Sequence, residues 1–210
     1  MRPVGILGGT FDPVHNGHVR LALEVKERLD LDGVRLVPAP RPRLRADPRA
    51  DVDERARLLK LAAAGCPGLT VDERELARAG PTYTVDTLEE LRAELPGRSI
   101  CLILGMDAFA RLDRWWRWTD LCGLCHIVVA HRPGADVPTT GPVAVMLAER
   151  ASDDPTALAR SEHGRVLLCE APLLDISASQ IRALLSRGRC IRGLVPDAVY
   201  ETLIEEELYG

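Results

Sequence analysis

Two histidines three residues apart, His15 and His18, close the stretch Gly8-Gly9-Thr10-Phe11-Asp12-Pro13-Val14-His15-Asn16-Gly17-His18, which follows directly on the apolar run Val4 to Leu7. These residue types at this spacing suit a triphosphate. Glycines let main-chain N–H groups approach an anion closely, and a helix that starts there points its positive end at it. Residues three apart on a helix share a face, so both imidazoles can address one site. Each is a donor when protonated and can stabilise charge developing on a phosphoryl group. Singly, a Gly-Gly turn is often only a tight connection and a histidine often a satisfied structural residue; together they point to phosphate chemistry. The stretch is not a Walker A loop, since no Gly-Lys-Ser/Thr is present, nor is it the Gly-x-Gly-x-x-Gly dinucleotide fingerprint.

A second constellation, Asp175-Ile176-Ser177-Ala178-Ser179-Gln180-Ile181-Arg182, lies near the other end. Ser177 with Gln180 three residues on is a capping-box pattern, and the helix start it makes is a second place for an anion. Arg182 falls about one turn inside that helix, and its fork suits two phosphate oxygens at once.

The elements that must hold these residues can be read from alternating apolar runs and helical patterns. Val4–Leu7, Val34–Val37, Leu69–Val71, Ile100–Leu104, Ile127–Ala130 and Val166–Leu168 read as strands. Helices are expected over Asn16 to about Leu29, Asp53–Ala64 and Val85–Leu95, the last with Thr84 as N-cap. Shorter helical pieces are expected at Ala108–Leu112 and Trp116–Cys122. A further helix is expected near Val143–Arg150, and two more at Ala178–Ser186 and Asp197–Leu208. Arg132 to about Gly164 is broken by prolines and glycines. The alternation predicts an α/β fold, a Rossmann-like doubly wound, mostly parallel sheet with a small C-terminal helical part. One domain is expected over residues 1–210, with a core to about residue 170 and the helical part from about 171 to 210.

The bulk properties set bounds. Hydrophobic content of 46% and charged content of 28% are those of an ordinary soluble globular chain. A formal net charge of −4 argues against general binding of nucleic acid or an anionic membrane. No signal peptide and no membrane-length apolar stretch is visible, so a cytoplasmic location is expected. Cys122-Gly123-Leu124-Cys125-His126 spells a haem-attachment pattern and half a zinc site, but no second Cys/His pair stands at the customary spacing. These cysteines are read as reduced core residues.

The pairing of Gly-Thr-Phe-Asp-Pro-x-His-x-Gly-His near the start with Ile-Ser-x-Ser-x-x-Arg near the end resembles the nucleotidyltransferase superfamily with the T/H-x-G-H signature. Pro81-Thr82-Tyr83-Thr84-Val85-Asp86-Thr87-Leu88, Gly105-Met106-Asp107, Trp115 to Trp118, His131-Arg132-Pro133-Gly134 and Leu194-Val195-Pro196 follow in the order of one family within it, the bacterial nicotinate-nucleotide adenylyltransferases. The resemblance spans nearly the whole chain. It implies transfer of AMP from ATP to nicotinate mononucleotide (EC 2.7.7.18), with Mg²⁺ bound with ATP. It implies small-molecule partners only, with no nucleic acid and no membrane.

By that resemblance Gly8, Gly9, Thr10, Phe11, His15 and His18 line the ATP site, completed by Ile176, Ser177 and Arg182. His18, His15 and Arg182 would carry the catalytic work. Thr84 at its helix start and Trp115, with Trp116 beside it, would hold the nicotinate ring and its carboxylate; Asp107 matches a substrate-site aspartate. The chemistry is sensible, since an aromatic face can stack on a pyridinium and helix-start N–H groups can receive a carboxylate. Trp115, Trp116 and Trp118 cannot all face one core, so at least one should line a pocket or the surface.

Two positions depart from the family pattern. A Pro-Pro-His-Lys-like segment with phosphate contacts is replaced by Pro40-Arg41-Pro42-Arg43-Leu44-Arg45, where arginine could restore the charge. Ser179 stands where threonine is common, keeping the hydroxyl. The rivals are adenylyl transfer to phosphopantetheine, cytidylyl transfer to a small phosphorylated alcohol, and a catalytically weak nucleotide-binding or sensor protein. The tryptophan segment and Thr82-Tyr83-Thr84 argue against the first two; the altered Arg41–Arg45 segment motivates the third.

Overall fold

A computed structural model describes residues 1–41 and 47–209. Arg43 and Arg45 of the altered segment lie outside the described residues. Six strands, β1 (Val4–Gly9), β2 (Gly33–Pro38), β3 (Leu69–Val71), β4 (Ile100–Gly105), β5 (His126–His131) and β6 (Val166–Glu170), form one sheet in the order β3-β2-β1-β4-β5-β6. The β1–β4, β4–β5 and β5–β6 pairings are parallel, with Val4 opposite Ile100 and Ile127 opposite Val166. This is the doubly wound α/β arrangement that strands alternating with helices predict.

The helices are α1 (Asn16–Arg28), α2 (Val52–Ala64), α3 (Thr84–Glu94), α4 (Met106–Phe109), α5 (Leu121–Leu124), α6 (Pro142–Arg150), α7 (Ala178–Leu185) and α8 (Asp197–Glu205). Local signals set several of their ends. Asp51 caps α2 by accepting from the Glu54 N–H at 2.8 Å, and Pro142 occupies the first turn of α6, where its missing N–H costs nothing. Thr84 is the first residue of α3, not its cap; the cap is Tyr83, in extended backbone with no side-chain hydrogen bond to the helix. Where two short helices were expected between residues 108 and 122, the chain makes α4, 3-10 turns at Leu112–Arg114 and Trp118–Asp120, then α5. Among the described residues no helix is long and apolar enough to cross a membrane.

The chain divides into two compact units, each discontinuous in sequence. The first comprises Met1–Leu7, Glu24–Val34 and Tyr83–Pro172. Its core is the apolar run of β4 with Ile127 to Ala130 of β5, against Val85, Leu88 and Leu91 of α3, all buried. Gly5 is required there: a Cβ would meet Val34 at 2.9 Å and Ile103 and Leu31 at 3.0 Å. Cys122 and Cys125 are free, buried thiols of this core, Cys122 Sγ lying 3.6 Å from Met146 Sδ, as expected for packing residues. Burial pushes the Cys125 thiol well above its ordinary value.

The second unit comprises Gly8–Leu23, Arg35–Thr82 and Leu173–Gly210. Leu36, Val37, Leu58, Leu59, Ile181, Val199 and Leu203 form its interior, and α2 packs on α8. It holds both the Gly8–His18 loop and the Ile176–Arg182 motif.

Candidate active site

In the second unit the loop leaving β1 is buried throughout Phe11 to His15. Phe11 sits at φ 49°, a left-handed conformation that a bulky residue adopts only when its surroundings over-determine it. Its ring meets the His18 ring edge-on, centroids 4.9 Å apart. α1 then starts at Asn16 with no acidic residue in its first turn, leaving the positive helix end uncancelled. That start is fixed from a distance: Asn16 N and Nδ2 donate to the carbonyls of Leu194 and Gly193 at 2.9 and 2.8 Å.

The two histidines meet as their spacing predicts, rings stacked with centroids 3.6 Å apart and 26° between planes. Gly17 allows this approach, since a Cβ there would come within 2.9 Å of His15 Nδ1 and 3.4 Å of the Ile176 carbonyl. The rings are not equivalent. Burial lowers the His15 pKa to about 4, so at neutral pH it offers one ring N–H and not the doubly protonated donor the sequence suggests. His15 Nδ1 is buried without a hydrogen-bond partner. The His15 main-chain N–H donates to His18 Nδ1 at 3.3 Å. An accepting Nδ1 assigns the His18 proton to Nε2, so His18 presents an Nε2–H donor.

The second motif joins the same unit. Ser177 caps α7, its hydroxyl accepting from the Gln180 N–H at 3.2 Å, and the first turn of α7 carries no acid. One turn on, Arg182 Nη1 donates to the Asp12 carbonyl at 2.5 Å and lies 3.4 Å from Asp12 Oδ2, while Nη2 donates to Ser179 Oγ at 3.2 Å. The hydroxyl at position 179 therefore has a partner even though it is serine.

Two contributors carry no role in the motif reading, Asp12 inside the first motif and Arg55 outside it. Asp12, 5% exposed, takes the main-chain N–H groups of Arg49 and Ala50 at 3.0 and 3.2 Å and the Tyr209 hydroxyl at 2.7 Å. Arg55, 1% exposed on α2, donates to the carbonyls of Thr10 at 2.5 Å and of Ala39 and Pro40 at 2.8 Å. Arg55 thus fixes the β1–α1 loop and the Ala39–Pro40 backbone together, while Asp12 holds the backbone at Arg49 and Ala50. The sequence signal for Arg55 is a charge on the Leu58, Leu59 and Ala62 stripe of α2, where a charged side chain needs dedicated partners.

In the first unit the remaining site residues lie at the start of α3, at the start of α4 and on the turns around Trp115. Thr84 opens α3, beside Tyr83, whose ring lies 5.9 Å from the Trp116 ring. Trp116 is 60% exposed, Trp115 and Trp118 are half-buried, and none of the three belongs to the core. Trp115 closes the turn at Leu112, its N–H donating to the Leu112 carbonyl at 2.9 Å. Asp107, exposed, is in the first turn of α4. The described residues contain no group of three His, Cys, Asp or Glu arranged to hold a metal ion.

Residues 6–184 match the family described as Cytidylyltransferase-like. Over its whole length the chain is 49% identical to a Cellvibrio japonicus protein named "Probable nicotinate-nucleotide adenylyltransferase", which it also covers completely. The chain belongs to the nicotinate-nucleotide adenylyltransferase family. A relative of the same name from Halorhodospira halophila is 47% identical over 100% of this chain and 96% of its own. Among solved structures, nicotinic acid mononucleotide adenylyltransferase of Plasmodium falciparum complexed with NaAD shares the fold at a TM-score of 0.73. It is 15% identical and aligns over 100% of this chain and 98% of its own. The same protein complexed with APC aligns at 0.72. The resemblance read from the motifs is therefore correct at the level of family and fold, and the chain is a nucleotidyltransferase.

Proposed function

We propose that the chain transfers AMP from ATP to nicotinate mononucleotide, giving nicotinate adenine dinucleotide and pyrophosphate, as a step of NAD biosynthesis. The observation that carries this reading is the stacked His15–His18 pair beside the α1 N-terminus, in one unit with Arg182, in a chain matching relatives of that name along its full length.

A phosphate oxygen of nicotinate mononucleotide attacks the α-phosphorus of ATP in line. The new O–P bond forms as the bond to the bridging β-phosphate oxygen breaks, and pyrophosphate takes the electron pair. The phosphate monoester is already an anionic nucleophile, so no general base and no covalent intermediate are needed. The work left to the protein is positioning and charge stabilisation.

His18, as the Nε2–H tautomer, donates to the α-phosphoryl oxygen on which charge develops. His15, held neutral, orients the triphosphate. Main-chain N–H groups of Gly8, Gly9 and Thr10 and the α1 and α7 starts take the other oxygens, with Phe11 and Ile176 bordering the nucleotide and Ser177 presenting the α7 N-terminus. Arg182 holds the β- and γ-phosphates. Asp12, the carboxylate of this loop, has both oxygens taken by Arg182, Tyr209 and two main-chain N–H groups, so Mg²⁺ would arrive bound to ATP and be held by its phosphates, not by a protein cage. When bound, that ion neutralises charge on the leaving pyrophosphate. On the acceptor, the N–H groups opening α3 at Thr84 receive the nicotinate carboxylate, Trp115 and Trp116 face the pyridinium, and Asp107 contacts the same substrate.

Pyrophosphate release measured with each nucleotide–acceptor pair tests the assignment. ATP with nicotinate mononucleotide should give the highest kcat/KM, with the nicotinamide nucleotide at least about tenfold lower because it lacks the carboxylate. Equal or better turnover with the amide, with phosphopantetheine, or with CTP and a phosphorylated alcohol would overturn it, and no release with any pair would favour the sensor reading.

A further inference from the structure

Beyond the residues that would touch substrate, the second unit contains a relay leading from Tyr209 to Arg182. The Asp12 carboxylate is buried and receives donors on both oxygens. Oδ1 accepts from the Tyr209 hydroxyl at 2.7 Å and the Ala50 N–H at 3.2 Å. Oδ2 accepts from the Arg49 N–H at 3.0 Å and faces Arg182 Nη1 at 3.4 Å. Arg182 is tethered chiefly through the Asp12 main-chain carbonyl at 2.5 Å. The carboxylate is thus shared four ways, and its hold on the guanidinium is the longest of its contacts.

The segment carrying Tyr209 is built to deliver it. Glu207 and Tyr209 both occupy the left-handed region, at φ 50° and 68°, which non-glycine residues keep only where the surroundings over-determine them. Leu208 N donates back to the Leu203 carbonyl at 3.1 Å, and Glu206 pairs with Arg57 of α2. Burial and the Asp12 carboxylate push the Tyr209 phenol well above its ordinary value, so it remains an O–H donor throughout the working pH range.

We infer that Tyr209 is a positioning residue for the transferase reaction: by occupying Asp12 Oδ1 it keeps the carboxylate from turning fully onto Arg182, leaving the guanidinium oriented to grip the pyrophosphate end of the nucleotide. Without the hydroxyl, Oδ1 loses its shortest bond. The carboxylate then rotates toward the nearest strong donor, which is Arg182, and competes with phosphate for it.

This inference rests on the reading that Arg182 holds the β- and γ-phosphates, and the test separates the two. The reverse reaction, in which pyrophosphate attacks the α-phosphorus of nicotinate adenine dinucleotide and ATP forms, gives separate KM values for the two substrates. Tyr209→Phe should raise KM for pyrophosphate about tenfold, roughly 1.4 kcal/mol, and leave KM for the dinucleotide within about twofold. Placed in an Arg182→Ala background, Tyr209→Phe should add less than about twofold, because its target is gone. Tyr209→Leu, a second apolar replacement, should match Tyr209→Phe, and thermal unfolding of each variant identifies any that is misfolded. Unchanged pyrophosphate KM in Tyr209→Phe, an equal rise for both substrates, or full additivity with Arg182→Ala would overturn the relay. If Arg182→Ala alone leaves pyrophosphate KM unchanged, the phosphate role of Arg182 fails and the relay falls with it.

Discussion

The loop from Gly8 to His18 and the tryptophan segment from Leu112 to Asp120 carry the two halves of the proposed chemistry, and they are built differently. The loop is buried from Phe11 to His15 and tied by hydrogen bonds that span the chain: Arg182 reaches Asp12 across 170 residues and Tyr209 reaches it across 197. The tryptophan segment is held mostly by short-range turns, and its longer-range ion pair is exposed, Arg117 bonding Asp120 and Glu89 at 2.8 Å. Fixing donors in a desolvated setting suits the stabilisation of charge that develops only in the transition state, because the dipoles need no reorganisation during reaction. A pre-formed, solvated aromatic surface suits recognition of a ring that does not react. The difference teaches that mutations in the loop should act on kcat or on folding, and mutations in the tryptophan segment on KM.

The largest effect should come from His18. Removing one donor aimed at the developing charge costs ~10²–10³ in turnover in comparable sites. His18→Ala should therefore lower kcat by about that factor while thermal unfolding stays close to that of the parent, since the ring is only half-buried. Near-normal turnover would remove His18 from catalysis and break the contrast between the regions.

Next comes Arg55, whose role is architectural. Arg55→Leu strands the Thr10, Ala39 and Pro40 carbonyls and removes a cation near Asp12, which should cost about 3 kcal/mol of stability. Denaturant unfolding measures this directly. A loss below about 1 kcal/mol would mean that the loop does not depend on its long-range ties.

His15 links the loop to pH. Its folded pKa, lowered to about 4, lies below the unfolded value of 6.5, so between these limits the unfolded chain binds more protons. Stability then falls as pH drops from 6.5 toward 4, by roughly 2 kcal/mol between pH 7 and pH 5 from this residue alone. His126, buried in the first unit and shifted the same way, adds to the slope, so the informative comparison is with His15→Asn. Urea unfolding at both pH values should show that variant losing about 2 kcal/mol less than the parent. An unchanged slope would place the His15 ring in contact with solvent.

The sequence makes one of these regions far more legible than the other. Glycines, a histidine pair at helical spacing and the Ser177–Gln180 cap are local signals, and the structure uses them locally: the rings stack and the cap forms. The continuous apolar runs of β4 and β5 were equally readable, because strands buried on both faces need no polar alternation. Asp12, Arg55 and Tyr209 were not assigned roles because their partners lie tens to hundreds of residues away. Arg55 alone leaves a trace, as a charge on an apolar helical stripe. The 3-10 turns around Trp115 follow no hydrophobic period, and α3 starts after a Tyr83 cap whose side chain makes no capping bond to the helix, so neither could be placed from pattern.

The smallest effect sharpens the comparison from the other side. Trp116 is 60% exposed, with only a tilted contact to the Tyr83 ring, so Trp116→Ala should change stability by less than about 0.5 kcal/mol. If its face meets the pyridinium of the acceptor, the loss is a cation–π contact of about 1 kcal/mol, or roughly fivefold in KM for nicotinate mononucleotide, with kcat nearly unchanged. Trp116→Phe should recover part of that affinity, because a smaller aromatic face still attracts the cation. A fall in kcat with KM intact would instead mean that the exposed segment acts in the chemical step. The division between a rigid, buried reaction centre and a solvated recognition surface would then fail.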